Sequence, residues 1–234
     1  MFNGKKVLAI TLARGGSKGV KNKNIKLING KPLIWYTIKE AKKSKYIDNY
    51  VVSSDSNKII NLVKKFGIAA PFQRPKKLSS DKSSSVSALQ HAVFESEKFY
   101  KTNFDVIIEL MCTNPFKSSI DIDNAIKKLI IKKSDAVIAV NKVEDNHPRR
   151  LKKIVNGKIK NFMYEKNESR RQDLKPYAYV RNGSIYALKK DFLMKKNKRY
   201  GGNNTRPIVL KKKYNINIDN ELDFKIAEYL LMKK

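Results

Sequence analysis

The sequence predicts an α/β domain of three layers, with a mostly parallel sheet and a small inserted subdomain. Apolar runs alternate with segments of helical periodicity from the start of the chain, which is the pattern of α/β folds. A glycine-rich loop follows the first apolar run directly, and an Asn-Gly hairpin signal interrupts the alternation past the middle of the chain. With 234 residues, the chain is long enough to bury a sizeable core as a single domain, 1–234.

Buried strands are predicted where apolar residues run without polar alternation. Such strands are expected over 7–12, 50–53, 106–110, 136–140 and 183–188, and strict alternation predicts a further strand over 215–219. Helical spacing of the apolar residues predicts helices over 32–43, 57–66, 84–100, 120–131 and 220 to about 232. Repeated strand–helix units of this kind place parallel strands side by side.

The segment from about 141 to 176 breaks this rhythm. It is polar and charged, and within it Asn156-Gly157 separates two short strand-like runs. Asn-Gly is a preferred pair for the two-residue type I′ turn of a β-hairpin. We therefore predict that 141–176 leaves the main sheet as an inserted hairpin subdomain.

The chain is strongly basic, with 51 Lys and Arg against 21 Asp and Glu and a formal net charge of +30. Such a balance suits a nucleic acid or an anionic membrane, but the Lys residues are spread over the whole chain instead of forming one patch. A Lys-rich solvated surface is therefore favoured, and it would attract small anionic substrates. A nucleic-acid partner is the alternative interpretation.

Hydropathy and cysteine content argue against a membrane protein, a secreted protein and a protein built on disulfides or cysteine-bound metal. No run of about 18 apolar residues is present, as a membrane-spanning helix would need, and the first residues lack the pattern of a signal peptide. Cys112 is the single cysteine, so neither a disulfide within the chain nor a cysteine-based metal site can form. We expect a cytoplasmic enzyme or binding protein without a membrane partner.

The loop after the first strand, 12–24, carries the strongest chemical signal. It combines three glycines with four cations: Gly15, Gly16, Gly19, Arg14, Lys18, Lys21 and Lys23. Glycines let backbone N–H groups approach an anion closely, and the cations supply opposite charge. Neither G-x-x-x-x-G-K-[ST] nor G-x-G-x-x-G fits the loop. Because ligands bind beyond the carboxyl ends of strands in open α/β sheets, a triphosphate cradle is favoured over a flexible basic turn.

Short motifs extend in order from this loop along nearly the whole chain. They are ARGGSKG at 13–19, RP at 74–75 with LSSDKSSS at 78–85, RRQDL at 170–174, NGSIY at 182–186 and IDNELDF at 218–224. In this order the chain resembles the CMP-sialic acid synthetases, the acylneuraminate cytidylyltransferases. The resemblance implies a Rossmann-like nucleotidyltransferase fold and a homodimer in which the inserted hairpin reaches the neighbouring subunit. It also implies a reaction in which CMP passes from CTP to the anomeric hydroxyl of a nonulosonic acid and pyrophosphate leaves.

The resemblance further implies roles for individual residues. Arg14, Lys18 and Lys23 would hold the triphosphate and act in catalysis together with Asp219. The CTP site would further comprise Gly15, Gly16, Ser17, Asn24, Arg74, Ser83 and Ser85. The sugar acid would meet Met111, Arg150, Arg171, Gln172, Tyr179 and Arg181. Asp219 and Asn217 would bind Mg²⁺, and Asp219 would also activate the sugar hydroxyl. On the residues alone, a role as N-cap of the last helix is favoured for Asp219.

Three departures from the family pattern affect the sugar and metal sites. Asn217 stands where the family has the first Asp of an Asp-x-Asp pair, which removes a negative charge. Met111 and Lys117 replace a Gln and an Arg, and 175–181 is one residue longer than usual. The changes fit either a different nonulosonic acid, such as a legionaminic or pseudaminic type, or a poor enzyme. The alternatives are a cytidylyltransferase for the eight-carbon keto-deoxy sugar acid and a catalytically weak, basic nucleotide- or nucleic-acid-binding relative.

Overall fold

The structure is a computed structural model that describes residues 1–143, 145–164, 170–211 and 216–233, without the side chain of Arg171. In chain order its strands and helices are β1 (Val7–Leu12), β2 (Leu27–Ile28), β3 (Lys31–Pro32), α1 (Leu33–Lys42), β4 (Asn49–Ser53), α2 (Asn57–Lys65), α3 (Ser85–Tyr100), β5 (Val106–Leu110), α4 (Ser119–Ile131), β6 (Ala136–Lys142), β7 (Lys152–Val155), β8 (Lys158–Asn161), β9 (Tyr179–Lys189), α5 (Lys190–Met194), β10 (Thr205–Val209) and α6 (Glu221–Met232).

The main sheet has the strand order β10-β6-β9-β5-β1-β4. Strand β1 runs parallel to β4 and β5, and β10 runs parallel to β6. Strand β9 lies between β5 and β6 and is antiparallel to both. The prediction of a mostly parallel sheet is thus confirmed, and the central antiparallel strand is a feature that an apolar run alone does not reveal.

Helices cover both faces of the sheet, as expected for three layers. Along β1, Val7 and Ala9 pack with α1, α2 and α4 on one face, while Leu8 and Ile10 pack with α3 and α5 on the other. Successive strand residues point to opposite faces, so an uninterrupted apolar run is buried on both sides. Among the described residues, no helix has the length and apolar character needed to cross a membrane.

The strand predicted over 215–219 is wrong for residues 216–219, and residue 215 lies outside the described residues. The alternation of this segment has another cause. Ile218 is fully buried and Ile216 partly buried in a cluster formed with α6 and Phe116, whereas Asp219 faces outward. One backbone bond, from the Ile218 N–H to the Thr113 oxygen, ties the segment to the loop after β5.

The hairpin predicted at Asn156-Gly157 is present as the separate pair β7–β8. Both turn residues have positive φ, 52° and 71°, as a type I′ turn requires. Strand β6 continues to Lys142, so the excursion from the main sheet begins slightly later than 141. Residues 144 and 165–169 of the expected subdomain lie outside the described residues.

Candidate active site

A cavity of about 420 Å³ opens beyond the carboxyl ends of β1 and β5. Its walls come from the glycine-rich loop after β1, the segment leading into α3, the loop after β5 and the turn before α6. Ten of the residues predicted for the site line it: Arg14, Ser17, Lys18, Lys23, Asn24, Arg74, Ser83, Ser85, Met111 and Asp219. The cavity therefore lies where an open α/β sheet places its ligands.

Arg14 and Lys18 converge on one anionic group. Arg14 Nη1 and Lys18 Nζ each lie 2.7 Å from a carboxylate oxygen of Asp81, on the opposite wall of the cavity. The hydrogen bonds from Lys18 and Arg14 hold the pKa of Asp81 below its usual range. Two cations that share one carboxylate in this way define a position for an anion, such as a phosphate oxygen.

The glycine-rich loop packs closely against its neighbours at two of its glycines. A Cβ on Gly19 would lie 1.8 Å from the backbone oxygen of Asp219, so only glycine fits there. The Gly15 N–H donates to Asp55 Oδ1 at 2.9 Å. Gly16, by contrast, has open space where a Cβ would stand. Close packing at Gly19 thus joins the loop to the turn that carries Asp219.

Asp219 presents its carboxylate to the cavity beside Lys23. Lys23 Nζ donates to the Ile218 backbone oxygen at 2.5 Å and lies 3.4 Å from Asp219 Oδ1. Asp219 does not cap α6, because Asn220 is the N-cap and exchanges hydrogen bonds with Asp223 in a capping box. The Asp219 side chain is 75% exposed, so its carboxylate is accessible to a ligand.

The wall opposite the loop is built from Arg74 and the hydroxyl-rich segment before α3. Arg74 is buried, and its Nε donates to Ser79 Oγ at 2.9 Å. The Ser83 hydroxyl donates to the Lys77 oxygen, and Ser84 caps α3, so the N-terminal end of that helix faces the cavity. Hydroxyls, a guanidinium and helix N–H groups together suit a polar heterocycle and a ribose.

The residues predicted for the sugar acid are only partly brought together. Met111 lines the cavity, whereas Arg150, Gln172, Tyr179 and Arg181 lie outside its lining, and the Arg171 side chain is not among the described atoms. Arg181 stacks on the Tyr200 ring at 4.4 Å. Asn217 also lies outside the lining, as do Gly15 and Gly16. The single chain thus assembles the nucleotide half of the predicted site more completely than the sugar half.

Residues 8–225 match the family model described as "Cytidylyltransferase". The chain belongs to the cytidylyltransferase family. It is 36% identical over 228 residues to the post-translational flagellin modification protein B of Campylobacter coli, covering 97% of this chain and 96% of that protein. It is 35% identical, with the same coverage, to the CMP-N,N'-diacetyllegionaminic acid synthase of Campylobacter jejuni. These matches confirm the resemblance inferred from the motifs.

A solved structure shows the same cytidylyltransferase fold. The structure of CMP:2-keto-3-deoxy-manno-octonic acid synthetase complexed with CTP has a TM-score of 0.72 to this chain, at 17% sequence identity. The similarity covers 97% of this chain and 99% of the other. At this identity the likeness concerns the fold, and it confirms the Rossmann-like nucleotidyltransferase architecture expected from the motifs.

Two charged residues in the cavity lining of this cytidylyltransferase, Asp81 and Glu109, were not predicted for the site, and Lys117, named above as a departure from the family pattern, is not in the lining. Asp81 bridges Arg14 and Lys18, as described above. Glu109 lies in β5, lines the cavity and is 1% exposed; burial raises its pKa, and the ion pair with Arg199 opposes that rise. Lys117 is fully buried, and its Nζ donates to Thr37 Oγ1 and to two backbone oxygens of the loop after β5. Glu109 carried a detectable signal, because a charged residue interrupts an otherwise apolar strand.

The Asp219 carboxylate, exposed in the cavity beside Lys23, fits a magnesium ion shared with a triphosphate. Among the described residues there is no group of three or more His, Cys, Asp or Glu that would hold a metal unaided. Within the described part of the chain, Asn217 Oδ1 is buried without a hydrogen-bond partner. Mg²⁺ is commonly bound through one or two protein oxygens together with substrate phosphates. The Asp219 carboxylate matches that donor set, whereas the Asn217 side chain lies outside the cavity lining and packs against Gly183.

Proposed function

We propose that this cytidylyltransferase transfers CMP from CTP to the anomeric hydroxyl of a nonulosonic acid and releases pyrophosphate. The observation that carries the proposal is the convergence of Arg14 and Lys18 on one anion position, in a cavity that also holds Lys23 and Asp219. The name of the relative from C. jejuni supports a sugar acid of this class.

In the proposed reaction, the sugar hydroxyl attacks the α-phosphorus of CTP in line with the bond to the β-phosphate. A new P–O bond forms to the sugar, the bond to the bridging oxygen breaks, and pyrophosphate leaves with that electron pair. Arg14, Lys18 and Lys23 would neutralise the charge that develops on the phosphate oxygens, and Asp219 would accept the hydroxyl proton. Such transfers depend mainly on positioning and on electrostatic stabilisation.

Asp219 and Asn217 would hold Mg²⁺ against the triphosphate, where the ion would neutralise phosphate charge. Gly15, Gly16 and Ser17 would contribute the loop backbone around the phosphates. Cytosine and ribose would bind along the wall formed by Arg74, Ser83 and Ser85, with Asn24 on the opposite side. We place the enzyme in the cytoplasm, where CTP is made.

The sugar site would be completed by a second subunit. Arg150, Gln172 and Tyr179 lie outside the cavity of their own chain, on or near the 141–176 subdomain. The β7–β8 hairpin and its flanks expose a group of large apolar side chains: Leu151, Ile154, Val155, Ile159, Phe162, Met163 and Tyr164. Exposed apolar patches of this kind mark interaction sites. In a homodimer, the hairpin would carry Arg150, Arg171 and Gln172 towards the neighbouring cavity.

Pyrophosphate release from CTP and Mg²⁺ tests the proposal directly. The panel comprises N-acetylneuraminic, legionaminic and pseudaminic acids and the eight-carbon keto-deoxy acid. We expect release with a nine-carbon acid, and with a diacetamido acid most rapidly. An Asp219→Asn variant should lose most of this activity and still bind CTP. No release with any acid, or RNA binding tighter than CTP binding, would overturn the proposal.

A further inference from the structure

A buried ion pair lies in the wall of the cavity. Arg199 Nη1 lies 3.1 Å and 2.8 Å from the two carboxylate oxygens of Glu109. The Glu109 side chain is 1% exposed and that of Arg199 is 14% exposed. Removing two charges from water costs several kcal/mol per ion, and a well-packed apolar pair often serves stability equally well. Stability alone therefore gives no reason for charges at this place.

The position of Arg199 is fixed by its surroundings. Its guanidinium carbon lies 4.3 Å from the centroid of the Tyr186 ring, and Tyr186 is the direct partner of Glu109 in the β5–β9 ladder. The loop that carries Arg199 is tied to α3 by Gln90, whose Nε2 donates to the Leu193 oxygen and to Asn197 Oδ1. A fixed guanidinium keeps the Glu109 carboxylate in one orientation.

Glu109 faces the same side of the sheet as Met111, since the two lie two residues apart at the end of β5. Both line the cavity. Glu109 lies between β1 and β9 in the sheet, because it pairs with Ile10 of β1 on one side and with Tyr186 of β9 on the other. Met111 is the position predicted to meet the sugar acid. The Glu109 carboxylate therefore lines the cavity on the same face of the sheet as the predicted sugar contact.

We propose that Glu109 selects the sugar acid by accepting a hydrogen bond from the N–H of an acylamino substituent, and that Arg199 is the positioning residue that holds this carboxylate. This inference rests on the proposed function. An amide N–H is a donor that a carboxylate accepts strongly. A ligand with an apolar atom at that point leaves the carboxylate with Arg199 but without this further hydrogen bond, and a ligand with an acceptor atom there is repelled, so the site binds both less well.

The test compares two acids: the best acid of the panel and its analogue with hydroxyls in place of the acylamino groups. The first readout is the ratio of the kcat/KM values for the two acids. The second readout, measured separately, is the KM for CTP. In Glu109→Gln we expect this preference for the acylamino acid to fall at least tenfold while the KM for CTP stays within twofold. Arg199→Lys should lower the preference to a smaller degree, because a shorter cation retains the charge and loses the fixed geometry.

Two further variants guard against a purely structural effect. The double variant Glu109→Leu/Arg199→Met removes both charges, so it folds without an unpaired ion, and it should lose the preference as Glu109→Gln does. Glu97→Gln is the matched control, because Glu97 pairs with Lys190 at 2.8 Å and lies outside the cavity lining. Its preference should equal that of the wild type.

The outcomes separate this inference from the proposed function. An active wild type whose preference is unchanged in Glu109→Gln overturns the role of Glu109. If the KM for CTP in Glu109→Gln rises as the preference falls, the Glu109–Arg199 pair serves the folding of the whole site. That result also overturns the role of Glu109 in selecting the sugar acid. A wild type that releases no pyrophosphate with any acid overturns the proposed function, and the inference falls with it.

Discussion

Asp81 occupies the position between Arg14 and Lys18 that a phosphate of CTP would need. Its pKa is held below the usual carboxyl range by these two cations, so the carboxylate stays charged through the neutral range and loses this charge only as the pH falls through the lowered value. We predict that Asp81→Asn removes a competing anion and tightens CTP binding on the order of two- to fivefold, a range set by the weakness of exposed ion pairs. Isothermal titration calorimetry at pH 7 measures this.

Asp191→Asn is the control for that measurement. Asp191 also forms an exposed ion pair, with Lys195 at 2.9 Å, and it lies outside the cavity lining. The CTP affinity of this variant should match that of the wild type. Weaker CTP binding in Asp81→Asn would show instead that Asp81 helps to organise the loop for the nucleotide.

Asn217 provides a second prediction for single residues. Among the residues that the structure describes, its buried Oδ1 has no hydrogen-bond partner, and a carboxylate at this place would add a negative charge two residues before Asp219. Asn217→Asp should lower the Mg²⁺ concentration for half-maximal pyrophosphate release, on the order of tenfold, because ligand charge tunes affinity for hard cations. Asp191→Asn serves as the control here as well, since that carboxylate pairs with Lys195 and lies outside the cavity lining. An unchanged Mg²⁺ requirement in Asn217→Asp would exclude Asn217 from the metal site.

The residues that sequence reasoning placed in one cavity share a simple property. Arg14, Lys18 and Asp219 belong to short motifs whose order along the chain could be compared with a family. Asp81 lies in such a motif as well, but its role, like that of Glu109, was missed because it depends on a partner 67 or 90 residues away in sequence. A carboxylate gains a role in such a pair only when the fold brings its cation to it, and no local pattern records that.

The glycine-rich loop is the element on which the site depends most directly. A Cβ on Gly19 would overlap the Asp219 backbone oxygen, so Gly19→Ala must displace the loop, the turn before α6, or both. We predict a loss of kcat/KM on the order of 10²-fold, the scale expected from misplacing catalytic groups by about 1 Å. Gly16→Ala is the matched substitution, because its Cβ meets open space, and its loss should be much smaller. Equal losses in the two variants would contradict the steric explanation.

At the level of elements, prediction succeeded where burial was complete. Strands β1, β5 and β6 and helices α1 to α4 follow continuous apolar runs or clear helical spacing, and their predicted bounds lie within about two residues of those observed. Strand β10 was missed because it lies at the sheet edge and contains Pro207. For residues 216–219 the error was the opposite, because a strand was predicted where none is present. Ile216 and Ile218 alternate with polar residues because they pack on α6, and they do not belong to a β-ladder.

For the whole molecule, the nucleotide half of the site was predictable and the sugar half was not. The loop after β1 and the segment before α3 lie at the edge where the parallel strands end, which is where this fold class places its ligands. Arg150, Gln172 and Tyr179 lie outside the cavity lining in this chain, so under the proposed function their role would depend on how subunits associate. Oligomeric state depends on which side chains the folded surface exposes. A single sequence does not show which of its apolar residues will be exposed.

The β7–β8 hairpin gives a test at this scale. Ile154 and Ile159 are direct cross-strand partners and are 78% and 75% exposed, so they form one apolar face. We expect the wild type to sediment as a dimer, and Ile154→Asp/Ile159→Asp to weaken dimerisation by about 100-fold or more, because an interface would bury unpaired charges. The KM for the sugar acid should rise in this variant more than the KM for CTP. Loss of the dimer would remove the partner's hairpin residues from the cavity, and these residues belong to the sugar half of the site. Ile131→Asp, at an exposed apolar position on α4, should remain dimeric. A fully active monomeric wild type would assign the complete site to one chain and remove the need for the partner subunit.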